Sequence, residues 1–157
     1  MSKEENKAVI RRLIEEVYNG DDLDLLDELV APDVVNHTAV AEHRRGIEGF
    51  GHVVGWSRSA MDAHYEIESM IAEGDMVACR ITMSGVHRGE VAGLPPTGKR
   101  FSVEHVHWHR LASGKLAEPK ERAWSAPSNA RRGSPGDPAP ANVRRRRANR
   151  SPPAGWR

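Results

Sequence analysis

The chain of 157 residues has a single cysteine and no aspartate anywhere between positions 76 and 136. One thiol, Cys79, excludes an intramolecular disulfide framework. Cys79 falls within an apolar alternation and reads as a small core residue rather than a nucleophile. No run approaches the ~18 apolar residues that a membrane span needs. The opening stretch, MSKEENKAVIRR, lacks the apolar region of a secretory signal. These absences predict a cytoplasmic protein with no membrane association.

Acidic charge is scarce in the last 39 residues. Residues 119–157 hold ten of the 23 basic residues and two of the 22 acidic ones, a balance of +8. Residues 1–118 keep 13 basic and 20 acidic residues, a balance of −7, so the net charge of +1 hides an acidic body and a basic tail. An acidic body argues against nucleic acid as its partner, because phosphate contacts need a basic face.

The body divides into helices and then strands. Ser2 with Glu5 has capping-box spacing. Val9, Ile10, Leu13, Ile14 and Val17 recur on a 3.6-residue period, which predicts a helix over 3–19. A second short helix, capped by Asp21 or Asp22, carries Leu23, Leu25, Leu26, Leu29 and Val30 and stops at Pro32. A short extended piece covers 34–38, and 39–45 reads as a surface loop. A third helix follows over about 47–61. The period then falls to two. Strands are predicted over 64–73, 76–87 and 100–111, with a Gly74-Asp75 turn and a loop at 93–98. Tyr65, Ile67 and Ser69 are expected on one face of the first strand, against Glu66, Glu68 and Met70. A last strand starts at Lys115. Helices followed by an antiparallel meander form an α+β fold, in which a curved sheet covered on one face leaves a pocket between the layers.

Pro119 is expected to interrupt that last strand, since proline removes a ladder N–H. The 39 residues from Pro119 onward contain seven of the ten prolines. They have few large apolar residues and the run Arg144 to Arg147, so they read as a disordered tail. A basic arm for anionic surfaces and a solvated tail without a role are two readings. A third is a frameshifted C-terminus, because Arg, Pro, Ala and Gly are what GC-rich DNA encodes out of frame.

The strand at 100–111 is the most informative segment. On a two-residue period His105, His107 and His109 share a face with Phe101, Val103 and Leu111. His105 and His109 would lie ~13 Å apart along a strand, too far to share one ion at Zn–N distances of ~2.0–2.1 Å. No Cys/His cluster has zinc spacing, so no metal is expected. Two readings remain: imidazoles that line a pocket and move protons or donate hydrogen bonds, and satisfied polar residues on a partly wet face. Glu104 and Arg110, on the other face, read as a surface ion pair.

Several motifs converge on one family. They are Gly74-Asp75, His87-x-Gly89, Gly93-Leu94-Pro95-Pro96-Thr97-Gly98, the strand ending in Arg110, and Gly114-Lys115-Leu116-Ala117-Glu118. Upstream they are joined by Tyr18-Asn19-Gly20 with Asp24, and by Leu29-Val30-Ala31-Pro32-Asp33-Val34-Val35-Asn36-His37. Over residues 3–118 the chain resembles the SnoaL-like polyketide cyclases of the NTF2-like superfamily. The resemblance implies a cone-shaped barrel with a deep apolar pocket for a small apolar or polyketide-like ligand. It also implies cofactor-free aldol ring closure of polyketide esters and possible homodimers. A general acid/base and donors to an oxyanion would do the work.

The resemblance places a catalytic Asp on the last strand, after a His-Trp pair. Here Glu118 is followed by Pro119-Lys120-Glu121-Arg122-Ala123-Trp124. The expectation is therefore a domain over 1–118, incomplete at its last strand and impaired as a cyclase. The alternatives are a non-catalytic binding module and a truncated, non-functional product. His107 and His109 are the catalytic candidates. Asn36, His37, His105 and Trp56 are the substrate-binding candidates, with core packing as the alternative for Trp56.

Overall fold

A computed structural model describes residues 2–123 of the chain. Helix α1 spans Lys3–Arg12. The Ser2 hydroxyl accepts from the Glu5 N–H, and the Glu5 carboxylate accepts from the Ser2 N–H. This reciprocal pair satisfies two donors that the helix start would otherwise leave open. The helix then widens into a π turn, Leu13–Tyr18, in which the Asn19 N–H reaches back five residues to the Ile14 carbonyl. Asn19 closes it with its side chain. Its amide donates to the Tyr65 carbonyl at 2.8 Å and its oxygen accepts from the Tyr65 N–H at 2.9 Å. That two-point clamp ties the end of the helix to the start of the sheet.

The second helix is a 3-10 turn, Leu23–Leu25, followed by α2, Leu26–Leu29. The expected aspartate cap does not form. Asp22 makes no capping hydrogen bond, and Asp21 instead pairs with Arg58 at 3.1 Å. Helix α3 spans Gly46–Met61.

The sheet is an antiparallel meander of β1 (His64–Glu73), β2 (Met76–Val86), β3 (Arg100–Ala112) and β4 (Lys115–Ala123), in that order. The α+β architecture is as the sequence implies. Three details differ. A register shift between Ile67 and Ser69 pairs Met70 with Cys79 and Ala72 with Val77. The alternation expected along β1 therefore reverses after Ile67, and Met70 rather than Ser69 joins the inner face. Arg110 does not meet Glu104, since residues six apart on a strand lie ~20 Å from each other. It pairs with Glu118, its ladder partner on β4.

The third difference is Pro119. β4 continues through it to Ala123, with Pro119 opposite His109. In a strand, the N and O of one residue point to the same side. The Pro119 carbonyl accepts from the His37 N–H, away from β3. The N–H that proline lacks would therefore also point away from β3, and the ladder loses nothing. Residues 30–37 run along this outer edge. Ala31 N–H donates to Leu116 and Val35 N–H to Ala117, at 2.8 and 2.9 Å. The boundary expected at 118/119 is thus not an end of structure. The tail expected beyond it lies, from 124 on, outside the described residues.

The core lies between the helices and the inner face of the sheet. Ile10, Leu13, Val17, Phe50, Val54, Val77, Ile81 and Leu116 are essentially inaccessible. The His87-x-Gly89 and Pro-Pro-Thr-Gly motifs build one loop. Arg88 and Gly89 N–H both donate to the Ala60 carbonyl, and a Cβ at Gly89 would lie 2.8 Å from the Ala60 Cα. Thr97 Oγ1 sits 3.1 Å from His87 Nδ1, and the Gly98 N–H bonds the His87 carbonyl. These contacts dock the loop on the end of α3.

A chain ending after Glu118 loses the ladder opposite His105–His109. It is expected to melt at least about 5 °C below one ending after Ala123, the shift of roughly 1 kcal/mol in a small domain. Equal midpoints by circular dichroism would restore the boundary to 118/119.

Candidate active site

The layers enclose a cavity of about 670 Å³, bounded by the π turn Leu13–Tyr18, by α3 and by the inner face of the sheet. Directly opposed residues of a ladder share a face. His105, His107 and His109 oppose Ile81, Cys79 and Val77, so the row lies on the core side. All three histidines line the cavity. Neighbouring ring centroids are 5.6 and 5.7 Å apart.

His105 and His109 are buried, while His107 is partly so. Burial penalises the charged ring and lowers the pKa of all three. His109 falls to about 4, and His105 is lowered by the same cause. His107 is lowered well below its ordinary value, by burial first and then by its two neighbours. At neutral pH the row is therefore three neutral imidazoles. Each keeps one N–H and one lone pair. No described residue hydrogen-bonds His105 Nδ1 or either ring nitrogen of His109.

Asn36 also lines the cavity and is 3 % exposed. Its side-chain oxygen accepts from the Thr38 N–H at 3.0 Å and from the Thr38 hydroxyl at 2.7 Å. Another polar point is formed by the hydroxyls of Ser57 and Tyr65, 2.9 Å apart and buried. Tyr65 packs edge-on against Tyr18, which packs edge-on against Phe50.

The rim is drawn from segments expected to be plain surface. Val40, Glu42 and His43 border the cavity, in and beside the 3-10 turn Ala41–His43. His43 stacks on His52 of α3 with centroids 3.7 Å apart. Trp56, one helical turn further, lines the mouth and keeps 41 % of its surface open. It is not packed in the core, which its helix position also allowed. The cavity-lining carboxylates among the described side chains, Glu42 and Glu90, are both exposed.

The structure thus brings Asn36, Trp56, His105, His107 and His109 around one space. It does not bring His37 there. His37 lies outside the lining, with Nε2 3.6 Å from Glu118 on the outer side of β4. Consecutive residues of an extended segment face opposite ways, so Asn36 and His37 cannot both point inward. Sequence reasoning missed Tyr65, Ser57, Thr38, His43 and His52. Only Asn36-x-Thr38 carried a local signal, the spacing of an Asx turn.

Burial pushes the Cys79 thiol up to about 12, which leaves it protonated and inert as a core residue. Among the described residues no three His, Cys, Asp or Glu side chains are placed to hold a metal ion. Nor is any helix among them long and apolar enough to cross a membrane.

The sequence matches the family described as SnoaL-like polyketide cyclase over residues 8–124. The chain belongs to the SnoaL-like polyketide cyclase family. The nogalonic acid methyl ester cyclase of Streptomyces nogalater is 34% identical over 108 residues, 66% of this chain and 80% of that protein. The aklanonic acid methyl ester cyclase DnrD of Streptomyces peucetius is 32% identical over 118 residues, 72% of this chain and 80% of its own. Among solved structures, IdmH of Streptomyces antibioticus superposes with a TM-score of 0.62 at 31% identity, covering 75% of this chain and 91% of that one. TsrD of Streptomyces laurentii, at 24% identity and a TM-score of 0.69 over 78% and 90% of the two chains, shares the fold.

In this SnoaL-like chain the last strand differs most from the expected pattern, because Pro119 and Lys120 follow Glu118. The ladder nevertheless continues, and its register sets position 121 opposite His107 and position 123 opposite His105.

The histidine row also makes the fold acid-sensitive. The pKa of His109 is lower in the folded chain, about 4, than the ordinary 6.5 of an unfolded one. Between those values the unfolded chain binds more protons, so stability present above pH 6.5 is lost as pH falls toward 4. The loss is on the order of 3 kcal/mol for His109. Urea midpoints of the wild type are expected to drop from pH 7 to pH 5, and to drop less in His109→Gln. An unchanged pH slope in that variant would place the sensitivity elsewhere.

Proposed function

We propose that the chain binds a polyketide-like ester in this cavity and stabilises its enolate, the intermediate of an intramolecular aldol ring closure. Proton transfer is impaired relative to its relatives. The observation that carries this reading is the set of polar groups the apolar cavity presents. They are a row of neutral imidazoles and the Asn36 amide, facing a space large enough for a multi-ring ligand. Ring closure needs a proton removed beside one carbonyl and an oxyanion held while the carbon attacks a second carbonyl. A neutral imidazole N–H suits the second task. It suits the first poorly, because a base of pKa about 4, as for His109, has little affinity for a carbon-bound proton. His107 and His109 are therefore read as oxyanion donors more than proton carriers. No cofactor is required.

The missing Asp would be the base. General acid/base catalysis contributes about 10²–10⁴-fold. Turnover of an aromatic polyketide methyl ester is expected to be slower by about that factor than with the Streptomyces nogalater enzyme. His107→Ala should weaken what remains. A comparable rate that disappears in Glu121→Gln would overturn the impairment and move the acid/base role to position 121.

A second reading, a binding module without turnover, is favoured by one observation: the lining carboxylates among the described side chains, Glu42 and Glu90, stand at the exposed rim. Saturable ester binding with no product would select it.

A further inference from the structure

We propose that Thr38 is a positioning residue: it locks the Asn36 amide so that its NH₂ group is presented to the cavity as a donor for a carbonyl or enolate oxygen. The inference rests on the cyclase-type reading for its consequence but not for its geometry.

The two ends of an amide look alike in shape, and their orientation follows from their partners. Here the partner settles it. A backbone N–H can only donate, and the Thr38 N–H lies 3.0 Å from the Asn36 side chain. The atom facing it must be the oxygen. The Thr38 hydroxyl adds a second bond to the same oxygen at 2.7 Å. Turning the amide over would set its NH₂ against the Thr38 N–H, which has no lone pair to offer. The Asn36 backbone is held as well, since its N–H donates to the Arg44 carbonyl at 2.7 Å.

The opposite end of the amide is left as the functional one. Asn36 is almost wholly buried and lines the cavity, yet its nitrogen donates to none of the described residues. Nor is that nitrogen among the side-chain atoms sealed in the interior without a partner, so it stands open to the cavity. A ligand oxygen entering the cavity can accept from it, and accepts most strongly when it carries negative charge. The ligand group recognised is therefore an acceptor, a ketone or ester oxygen, and not a hydroxyl or amine presented as a donor. A donor fixed before the ligand binds needs no reorganisation as charge develops. Thr38 itself touches no reacting atom in this scheme and acts through Asn36.

The experiment compares Thr38→Val, which removes the hydroxyl at constant shape, with Thr38→Ser, which keeps it. Two measurements are made on the full chain. In turnover of an aromatic polyketide methyl ester, Thr38→Val is expected to lower kcat by about fivefold to tenfold, the weight of one hydrogen bond. KM should stay within about twofold, and Thr38→Ser should recover most of the rate. In an Asn36→Ala background the Thr38→Val effect should vanish, as it must if the two act as a unit. Without any ligand, the Asn36 side-chain NH₂ signals in a ¹H–¹⁵N spectrum should broaden or shift in Thr38→Val and hold in Thr38→Ser. Wild-type signals and wild-type kcat in Thr38→Val would overturn the proposal, as would equal losses in the valine and serine variants. If the wild type has no turnover, the cyclase reading fails, and the amide signals alone decide whether Thr38 positions Asn36.

Discussion

Three imidazoles carried into the interior by one strand are the feature around which the rest of the molecule is arranged. β3 pairs on both sides, so its inner face is covered by whatever its neighbours supply. β2 supplies Val77, Cys79 and Ile81 directly opposite His109, His107 and His105. Those side chains exclude water and cannot hydrogen-bond a charged ring. The neutral form is the one such surroundings tolerate. Neutral imidazoles still need partners, which a fully packed apolar core would deny them. A cavity bordered by the row meets both conditions: dry enough to suppress charge, and open enough to offer the ring nitrogens to a ligand.

The outer edge of β4 does comparable work at the other side of the site. Carbonyls of Leu116, Ala117 and Pro119 accept from the N–H groups of Ala31, Val35 and His37. This pairing covers an edge that would otherwise be open to other strands. It also explains how a proline sits within the strand. The same extended segment brings Asn36 to the cavity, because alternation sends His37 outward to Glu118 and its neighbour inward. Sealing the edge and placing the amide are one event in the backbone.

What could be read from the sequence was what local physics decides. The capping box of α1, the two-residue period of β3 and the turn at Gly74-Asp75 depend on nearby residues, and each stands where the pattern put it. The features that escaped depend on partners remote in sequence. The π turn at Leu13–Tyr18 is completed by the Asn19 clamp on Tyr65, 46 residues away. Pro119 is permitted because its missing N–H would point away from β3, toward the edge where residues 30–37 run, and that register is set by partners outside β4. The reversal along β1 follows from register with β2, which no alternation within β1 contains. Trp56 was ambiguous for a related reason: a helix position fixes a face, and only the fold decides whether that face meets core or cavity. In the site, the histidine row was legible and the Asn36–Thr38 turn was within reach, but their meeting around one space was not.

The parts of the site also differ in how they are anchored. The imidazoles stand on a strand paired on both sides. The Asn36 amide is held by Thr38 and by a backbone bond to Arg44. Both are fixed before any ligand enters, and both are donors suited to a growing negative charge. The proton acceptor expected of this family belongs instead to the last strand, where the sequence runs Pro119-Lys120 in place of His-Trp. Donor placement here does not depend on the identity of residues on the inner face of β4, since the edge contacts to it use main-chain carbonyls alone. A substitution on that strand can therefore alter the basic group and leave the donors where they are. The histidines and Asn36 are thus held by contacts independent of the side chains that Pro119 and Lys120 bring to β4.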